Sequence, residues 1–480
     1  MSNTFYWYDL ETTGIDSTRD RVVQFAGLRT DLDLNPVAEP DVFYCKLHDD
    51  VLPHPEACLV TGISPQLANE KGLLECDFIA RIQLEFSTPQ TCVVGFNSIR
   101  FDDEFTRNLL YRNFFDPYAR EWKSGNSRWD IIDVVRLTHA LRPEGIQWPK
   151  REDGTPSFRL ELLTAENNIK HESAHDALSD VYATIAVAKL IKEKQPKLYS
   201  WALALKDKRK ALENLDLQEK TAMVHVSGKY PASRHCLAIV LPLAQHPINK
   251  NGVIAYDLSV EPTPLLNLDV DEIYRRMYTA TEDLAKGEER IPLKVIHVNK
   301  SPMLAPVNTL STQVAEHLNL DLQQCEVHRK MLLNANLDIK LKEVFSKNEF
   351  VAEQDPDLML YGGGFFSATD ARNMEQIRKT PAEQLASLDL PFEDDRLPDM
   401  LFRYRARNYP QTLSEQEKKQ WLKHRKLWLM TGGEDKRLSL PRYFGRLDEL
   451  VAEGKFGEQE QELLGLLIEY GEQLESGLAD

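Results

Sequence analysis

The chain has 480 residues, with 58 basic and 75 acidic side chains, a formal charge of −17, and 42% hydrophobic residues. That length exceeds one ordinary domain and, at about 150 residues each, predicts about three. The acidic balance argues against a protein that coats duplex DNA through its overall field, and leaves room for a local basic channel for a single strand.

No run approaches the about 18 unbroken apolar residues of a membrane span, and Met1-Ser2-Asn3 shows no basic-then-apolar leader pattern. Cys45, Cys58, Cys76, Cys92, Cys236 and Cys325 lack CxxC spacing and fall largely in apolar runs. We therefore expect a soluble cytoplasmic protein with reduced core thiols.

Residues 1 to 195 alternate strand-like and helical runs, as in an α/β layer. Strands are predicted at Phe5 to Asp9, Val22 to Arg29, Val42 to Lys46 and Thr91 to Gly95, where β-branched and aromatic residues cluster between turns. Helices are predicted at Phe78 to Phe86, Asp102 to Phe114, Val134 to Leu141, Leu160 to Asn167 and Asp176 to Glu193. The charged stretch Lys206-Asp207-Lys208-Arg209-Lys210 separates this block from a second, residues 197–350. Short runs there at Met223 to Ser227, Cys236 to Pro242, Gly252 to Leu258 and Leu293 to Val298 read as strands of a small barrel. From 351 to 480 the chain is rich in Glu, Lys, Arg, Gln and Leu at helical spacing, notably Leu413 to Leu429 and Leu447 to Leu474, and predicts a helical domain.

Within the first block, Tyr6-Trp7-Tyr8-Asp9-Leu10-Glu11-Thr12-Thr13-Gly14 ends an apolar strand in two acids one residue apart. Residues two apart on a strand share a face, so both carboxylates point the same way, and a divalent cation would relieve their repulsion. Asn97-Ser98-Ile99-Arg100-Phe101-Asp102-Asp103-Glu104-Phe105 leads from a strand into a helix whose first turn is acidic. Acids there also answer the helix dipole, so the motif alone is ambiguous, with Asp103 a rival to Asp102. In Ala174-His175-Asp176-Ala177-Leu178-Ser179-Asp180-Val181, Asp180 falls in an apolar helix and needs a partner such as a metal, and His175 precedes it.

Four acids and a histidine in this order resemble the DEDD exonuclease superfamily, in the branch whose last motif is His, four residues, then Asp. The resemblance implies that Asp9, Glu11, Asp102 and Asp180 hold metal and that His175 is the general base. Phosphodiester hydrolysis suits that set: two Mg2+ ions about 4 Å apart activate water and stabilise the departing oxyanion, with Mn2+ able to substitute. Carboxylates are hard ligands for Mg2+, and histidine, with a pKa of about 6.5, takes the proton of water at neutral pH.

The likeness continues through Pro40-Asp41-Val42-Phe43-Tyr44-Cys45-Lys46, Thr61-Gly62-Ile63-Ser64-Pro65, Arg100-Phe101-Asp102-Asp103-Glu104, Asn126-Ser127-Arg128-Trp129-Asp130, Leu141-Arg142-Pro143-Glu144-Gly145-Ile146 and Arg403-Tyr404-Arg405-Ala406-Arg407-Asn408-Tyr409. These segments are similar to the bacterial exonuclease I family nearly end to end. The resemblance implies a ribonuclease H-like exonuclease domain with a mixed sheet (1–195), an SH3-like β barrel (197–350) and an α-helical C-terminal domain (351–480). It implies a processive, monomeric enzyme of DNA repair and recombination. Such an enzyme degrades single-stranded DNA from the 3′ end to 5′-mononucleotides.

A non-specific single-strand path interleaves cations and aromatic rings. Arg107, Arg112, Tyr118, Trp122, Arg128, Arg136, Arg142 and Arg159 are candidates, with Arg159 nearest the terminal phosphates by analogy, and Glu11 is shared between metal and substrate. Surface ion pairing is the plain alternative for each arginine. Thr61-Gly62-Ile63 resembles the superfamily loop against the 3′-terminal nucleotide, and Arg403, Tyr404, Arg405, Arg407 and Tyr409 either touch DNA or pack on the first domain. The resemblance also implies docking of the acidic C-terminal tail of single-stranded DNA-binding protein on a basic pocket that includes Arg142. Two alternatives remain at this level: an RNA exonuclease of the same superfamily, and a catalytically silent binding module.

Overall fold

The apolar run at Phe5 forms β1 (Thr4–Thr12), which lies between two partners in the computed structural model of the chain. On one side β2 (Val22–Thr30) runs antiparallel to it and carries the antiparallel β3 (Asp41–Tyr44); on the other, β4 (Thr91–Gly95) runs parallel, so the sheet is mixed. The structure describes residues 3–171, 176–310, 314–315, 318, 320–347, 353–432 and 437–479.

Two units are distinguished by backbone proximity: Met1–Ser127 with Glu172–Tyr182 and Val351–Asp480, and Arg128–His171 with Ala183–Phe350. In the first, α1 (Pro55–Thr61), α2 (Pro65–Lys71), α3 (Glu75–Phe86) and α4 (Asp102–Arg112) follow the strands in turn. One face of the sheet buries an aromatic core in which Tyr6, Tyr8, Phe25 and Phe43 meet Phe78, Phe86 and Phe105 of α3 and α4. Burying rings of this size is the largest apolar contribution a sheet–helix layer can make.

The helices after residue 353 belong to this same unit and do not stand alone. Leu52 and Cys58 share a buried cluster with Leu440, Tyr443, Leu447, Leu467 and Tyr470, and Cys76, Tyr111 and Phe114 share another with Met374, Leu397, Met400 and Tyr404. The last third of the chain thus shares its core with the first.

The chain passes to the second unit at β5 (Ser127–Asp130) and continues through α5 (Ile131–Leu141) and α6 (Leu160–Glu166). The start of α7 (Ala177–Lys194), up to Tyr182, belongs to the first unit and the rest to the second, which also holds α8 (Pro196–Ala204) and α9 (Lys208–Asn214). The charged stretch expected as a separator is thus mostly helix α9, capped by the Asp207 side chain on the Arg209 amide. The second sheet is antiparallel, in the order β10 (Met303–Pro306), β6 (Met223–Val226), β7 (Leu237–Gln245), β8 (Gly252–Asp257), β9 (Leu293–His297). Four of its strands follow the sequence expectation; β10, a four-residue strand ending in proline, was not foreseen. Leu205, Ala211 and Leu215 pack with Met223, Ala238, Val240, Val253 and Leu304 in its core.

All six cysteines are free and buried. Among the described residues no helix is long and apolar enough to cross a membrane.

Candidate metal centre

The pairing of β1 with β4 stops at Trp7, so the strand runs on past its parallel neighbour and carries Asp9 and Glu11 beyond it. Both remain in register with β2, Asp9 opposite Ala26 and Glu11 opposite Gln24, and the register shifts just after Glu11. Because they are two apart on a strand, their side chains leave on one face.

Two further acids come from helix starts. After β4 the backbone turns through Asn97, at φ 65°, into α4, where Asp102 is buried and accepts a hydrogen bond from the Leu10 amide at 3.2 Å. That bond fixes Asp102 beside the residue lying between Asp9 and Glu11. Asp103 faces elsewhere: it accepts from the Tyr8 hydroxyl at 2.8 Å and pairs with Arg120 at 2.6 Å, all buried. Asp103 thus holds the core, and Asp102 lies at the strand end.

Asp180 lies in the first turn of α7, a position that Asp176 caps by accepting from the Ser179 amide at 3.1 Å. Ligand oxygens of Asp9, Glu11 and Asp180 all lie within 4.8 Å of one another. His175 lies outside the described residues.

The electrostatics of this cluster call for a cation. Burial, and then the charges of Asp102, Glu11, Asp180 and Asp176, push the Asp9 carboxyl well above its ordinary range. Burial and the charges of Asp180 and Asp176 push Glu11 up to about 8. Converging hard oxygen ligands fit Mg2+ or a similar ion, which would return them to their charged forms.

Comparison with known proteins agrees with this geometry. A family model described as Exonuclease matches residues 6–188, the exonuclease I SH3-like domain matches 206–347, and the exonuclease I C-terminal domain matches 354–474. The exodeoxyribonuclease I of Escherichia coli (strain K12) is 44% identical over 476 residues, covering 99% of this chain and 98% of the relative. The chain belongs to the exonuclease I family. The exonuclease I structure from Methylocaldum szegediense aligns with a TM-score of 0.94 at 49% identity, covering 98% of this chain and 99% of that one. The zinc-bound E. coli exonuclease I complex with single-stranded DNA aligns at 0.94 and 43% identity, covering 99% and 100%. The family architecture is therefore a mixed-sheet exonuclease domain, an SH3-like half-barrel and a helical C-terminal domain, and the chain is an exodeoxyribonuclease I type of enzyme.

The arginines expected along a strand path occupy varied settings. Arg107 is buried; its guanidinium binds Glu121 at 2.8 and 2.9 Å, Glu104 at 2.8 Å and the Tyr361 hydroxyl at 3.0 Å. Arg112 is buried against Glu75 at 3.1 Å. For both, neighbouring carboxylates inside the fold take the charge. In the second unit, Arg128 is buried and donates to the Asn299 carbonyl at 3.2 Å, and Arg136 pairs with Asp133 at 2.6 Å. Arg142 donates to the carbonyls of Leu141 and Thr309 at 2.5 and 3.2 Å, while Arg159 is 69% exposed beside Glu161 at 2.5 Å.

Aromatic side chains that the sequence did not single out stand near these candidates. Trp122 is exposed, and Tyr118 meets the highly exposed Phe365 edge to face at 5.8 Å, with Arg107 5.4 Å from the Tyr118 ring centre. Tyr361 joins them through Arg107 and Glu104. Tyr361 and Phe365 flank three consecutive glycines, which is the signal that could have marked them as a surface loop. Gly62, in the loop expected beside the terminal nucleotide, caps α1 at φ 69° with open space around it, so conformation alone demands glycine there.

The C-terminal arginines pack inward. Arg403 pairs with Asp355 and Asp357, Arg405 with Glu417, and Arg407 with Asp50 and Asp357. Tyr409 reaches Cys76 at 3.3 Å. Of the two roles open to this segment, packing on the N-terminal part is the one observed.

Proposed function

We propose that this chain is a processive 3′-5′ exonuclease that hydrolyses single-stranded DNA to 5′-mononucleotides. The observation that carries the reading is the convergence of Asp9, Glu11 and Asp180 at the open end of β1, with Asp102 fixed behind them. Two Mg2+ ions bound there, or Mn2+ in their place, supply the positive charge that lowers the pKa of water and offsets the leaving oxyanion. Asp9, Glu11 and Asp180 hold the charge in place, and Asp102 orients the strand end between the first two. His175, which precedes Asp176 in the sequence, has the chemistry to accept the proton from water near neutral pH.

Substrate choice follows from similarity to an exonuclease I whose structure holds single-stranded DNA. The exposed rings of Trp122, Tyr361 and Phe365, the last beside half-buried Tyr118, suit bases stripped of a partner strand, since any base offers a ring face to stack on. Arg159, with most of its side chain in solvent, is the candidate phosphate ligand of the second unit.

Docking of the acidic tail of single-stranded DNA-binding protein is assigned to the groove lined by Arg142, Lys197, Trp201 and Pro306. It pairs two cations with an apolar floor, which suits an anionic peptide carrying an apolar side chain.

Polarity and sugar preference are tested together with matched DNA and RNA oligonucleotides, each labelled at the 5′ or the 3′ end. A 3′ label released at once as mononucleotide, a 5′-labelled DNA that shortens without intermediates, and slow loss of RNA are expected. Faster loss of the RNA would overturn the DNA assignment.

A further inference from the structure

Strand β1 does not end loosely beyond Glu11. The Thr13 amide donates to the Arg21 carbonyl at 2.8 Å, the Arg21 amide donates to Thr13 Oγ1 at 2.9 Å, and the His54 amide donates to the Thr13 carbonyl at 2.7 Å. Thr12 Oγ1 donates to the Gly14 carbonyl at 2.7 Å. Beside this turn stands a carboxylate that the metal centre does not use. Asp20 is 5% exposed, accepts from the Asp16 amide at 2.8 Å, and lies 3.6 Å from Nε2 of His54. Gly14 is wedged against both: a methyl group there would collide with the Asp20 carboxylate and stand 2.6 Å from His54 Cδ2.

We propose that Asp20 and His54 form a clamp that positions Glu11 for metal binding. Glu11 is the last residue of β1 paired in the regular register, opposite Gln24, and the register shifts between Glu11 and Thr12, so the ladder supports it on one side only. The turn Thr12 to Gly14 therefore anchors the strand end that carries Glu11; the backbone bonds to Arg21 and His54 hold that turn, and the Asp20 and His54 side chains pack on it at Gly14. Metal ligands need placement to within about 0.5 Å, and loss of the groups that orient them weakens metal binding about 10- to 100-fold. A buried carboxylate is costly unless it is engaged, and the contacts of Asp20 with the Asp16 amide, Gly14 and His54 concentrate on this one turn. Neither residue touches the reacting atoms; both act through Glu11.

The inference rests on the reading of Glu11 as a metal ligand, and its test separates the two. Mn2+ binding to the full-length, DNA-free protein is measured by electron paramagnetic resonance for wild type, Glu11→Gln, Asp20→Ala, Asp20→Asn and His54→Gln, with melting temperatures alongside. Asp20→Ala is expected to weaken Mn2+ binding about 10-fold or more. Asp20→Asn keeps an acceptor for the Asp16 amide and should recover most of the affinity, with His54→Gln between the two. A residue that only stabilised its loop would lower the melting temperature and leave Mn2+ affinity unchanged. Wild-type affinity in Asp20→Ala, while Glu11→Gln has lost it, overturns the clamp; retained affinity in Glu11→Gln overturns the metal reading itself. Should Asp20→Ala fail to fold, His54→Gln, at a half-exposed position, carries the test, and its wild-type affinity would overturn the clamp equally.

Discussion

The guanidinium of Arg407 donates to Oδ2 of Asp50 at 2.8 Å, both groups buried, across a sequence separation of 357 residues. Arg407 also meets Asp357 at 2.7 Å, so one side chain ties the N-terminal sheet region to the helical end of the chain. The arginine holds Asp50 well below the usual carboxylate range despite burial that pushes the other way. Removing one member of a buried pair leaves a desolvated charge, so Arg407→Ala should destabilise the protein by about 3–5 kcal/mol. Urea unfolding checks this, and a loss under about 1 kcal/mol would show that the pair is not structural.

The same cluster predicts acid sensitivity. Glu75, beside Arg112, His48 and Arg21, is lowered from 4.5 to about 2 in the folded state. Its contribution is present above pH 4.5 and is lost as pH falls towards 2. His48 is buried and lowered from 6.5 to about 4, so between those values the unfolded chain binds a proton that the native one does not. Both effects have one sign: stability falls as pH drops below 6.5, in two stages. Melting temperature against pH measures it, and His48→Asn should flatten the upper stage only.

Asp102 and Asp103 are adjacent yet should fail differently. Asp103→Asn weakens the Arg120 pair and the Tyr8 bond inside the core, so it should cost about 3 kcal/mol in stability. Asp102→Asn should leave the melting point nearly unchanged and lower kcat about 10- to 100-fold. Parallel calorimetry and turnover measurements distinguish them; equal losses of stability would contradict the division of roles.

Phe365 offers an exposed ring beside Tyr118. Stacking one base on an aromatic ring contributes about 1–3 kcal/mol, so Phe365→Ala should raise KM for a long single strand about 5-fold or more while kcat is kept. Steady-state kinetics on oligonucleotides of several lengths would show it, and an unchanged KM at every length would remove this surface from the substrate path.

The elements whose side chains alternate against a core were readable in advance. β1, β2 and β4 followed the apolar and β-branched runs, and α3, α4 and α7 began within three residues of their expected starts. Asp9, Glu11 and Asp180 were legible because strand and helix periodicity fix where a carboxylate points. For Arg403 and Arg407 the sequence left packing and DNA contact both open, because their partners are acids at positions 50, 355 and 357, distant along the chain. The clamp around Gly14 was hidden, since Asp20 and His54 meet only through the packing of a turn. Short pieces such as α8, α9 and β10 carry too few periodic positions to announce themselves.

Acids on β1 and α7 are proposed to hold the metal that drives cleavage of a single strand. This is tested most directly by Mg2+-dependent degradation of a 5′-labelled single-stranded DNA by wild type and Asp9→Ala, with strand binding measured on the same samples. We predict that Asp9→Ala binds the strand yet shows no Mg2+-dependent shortening. Cleavage at the wild-type rate by Asp9→Ala would contradict the account.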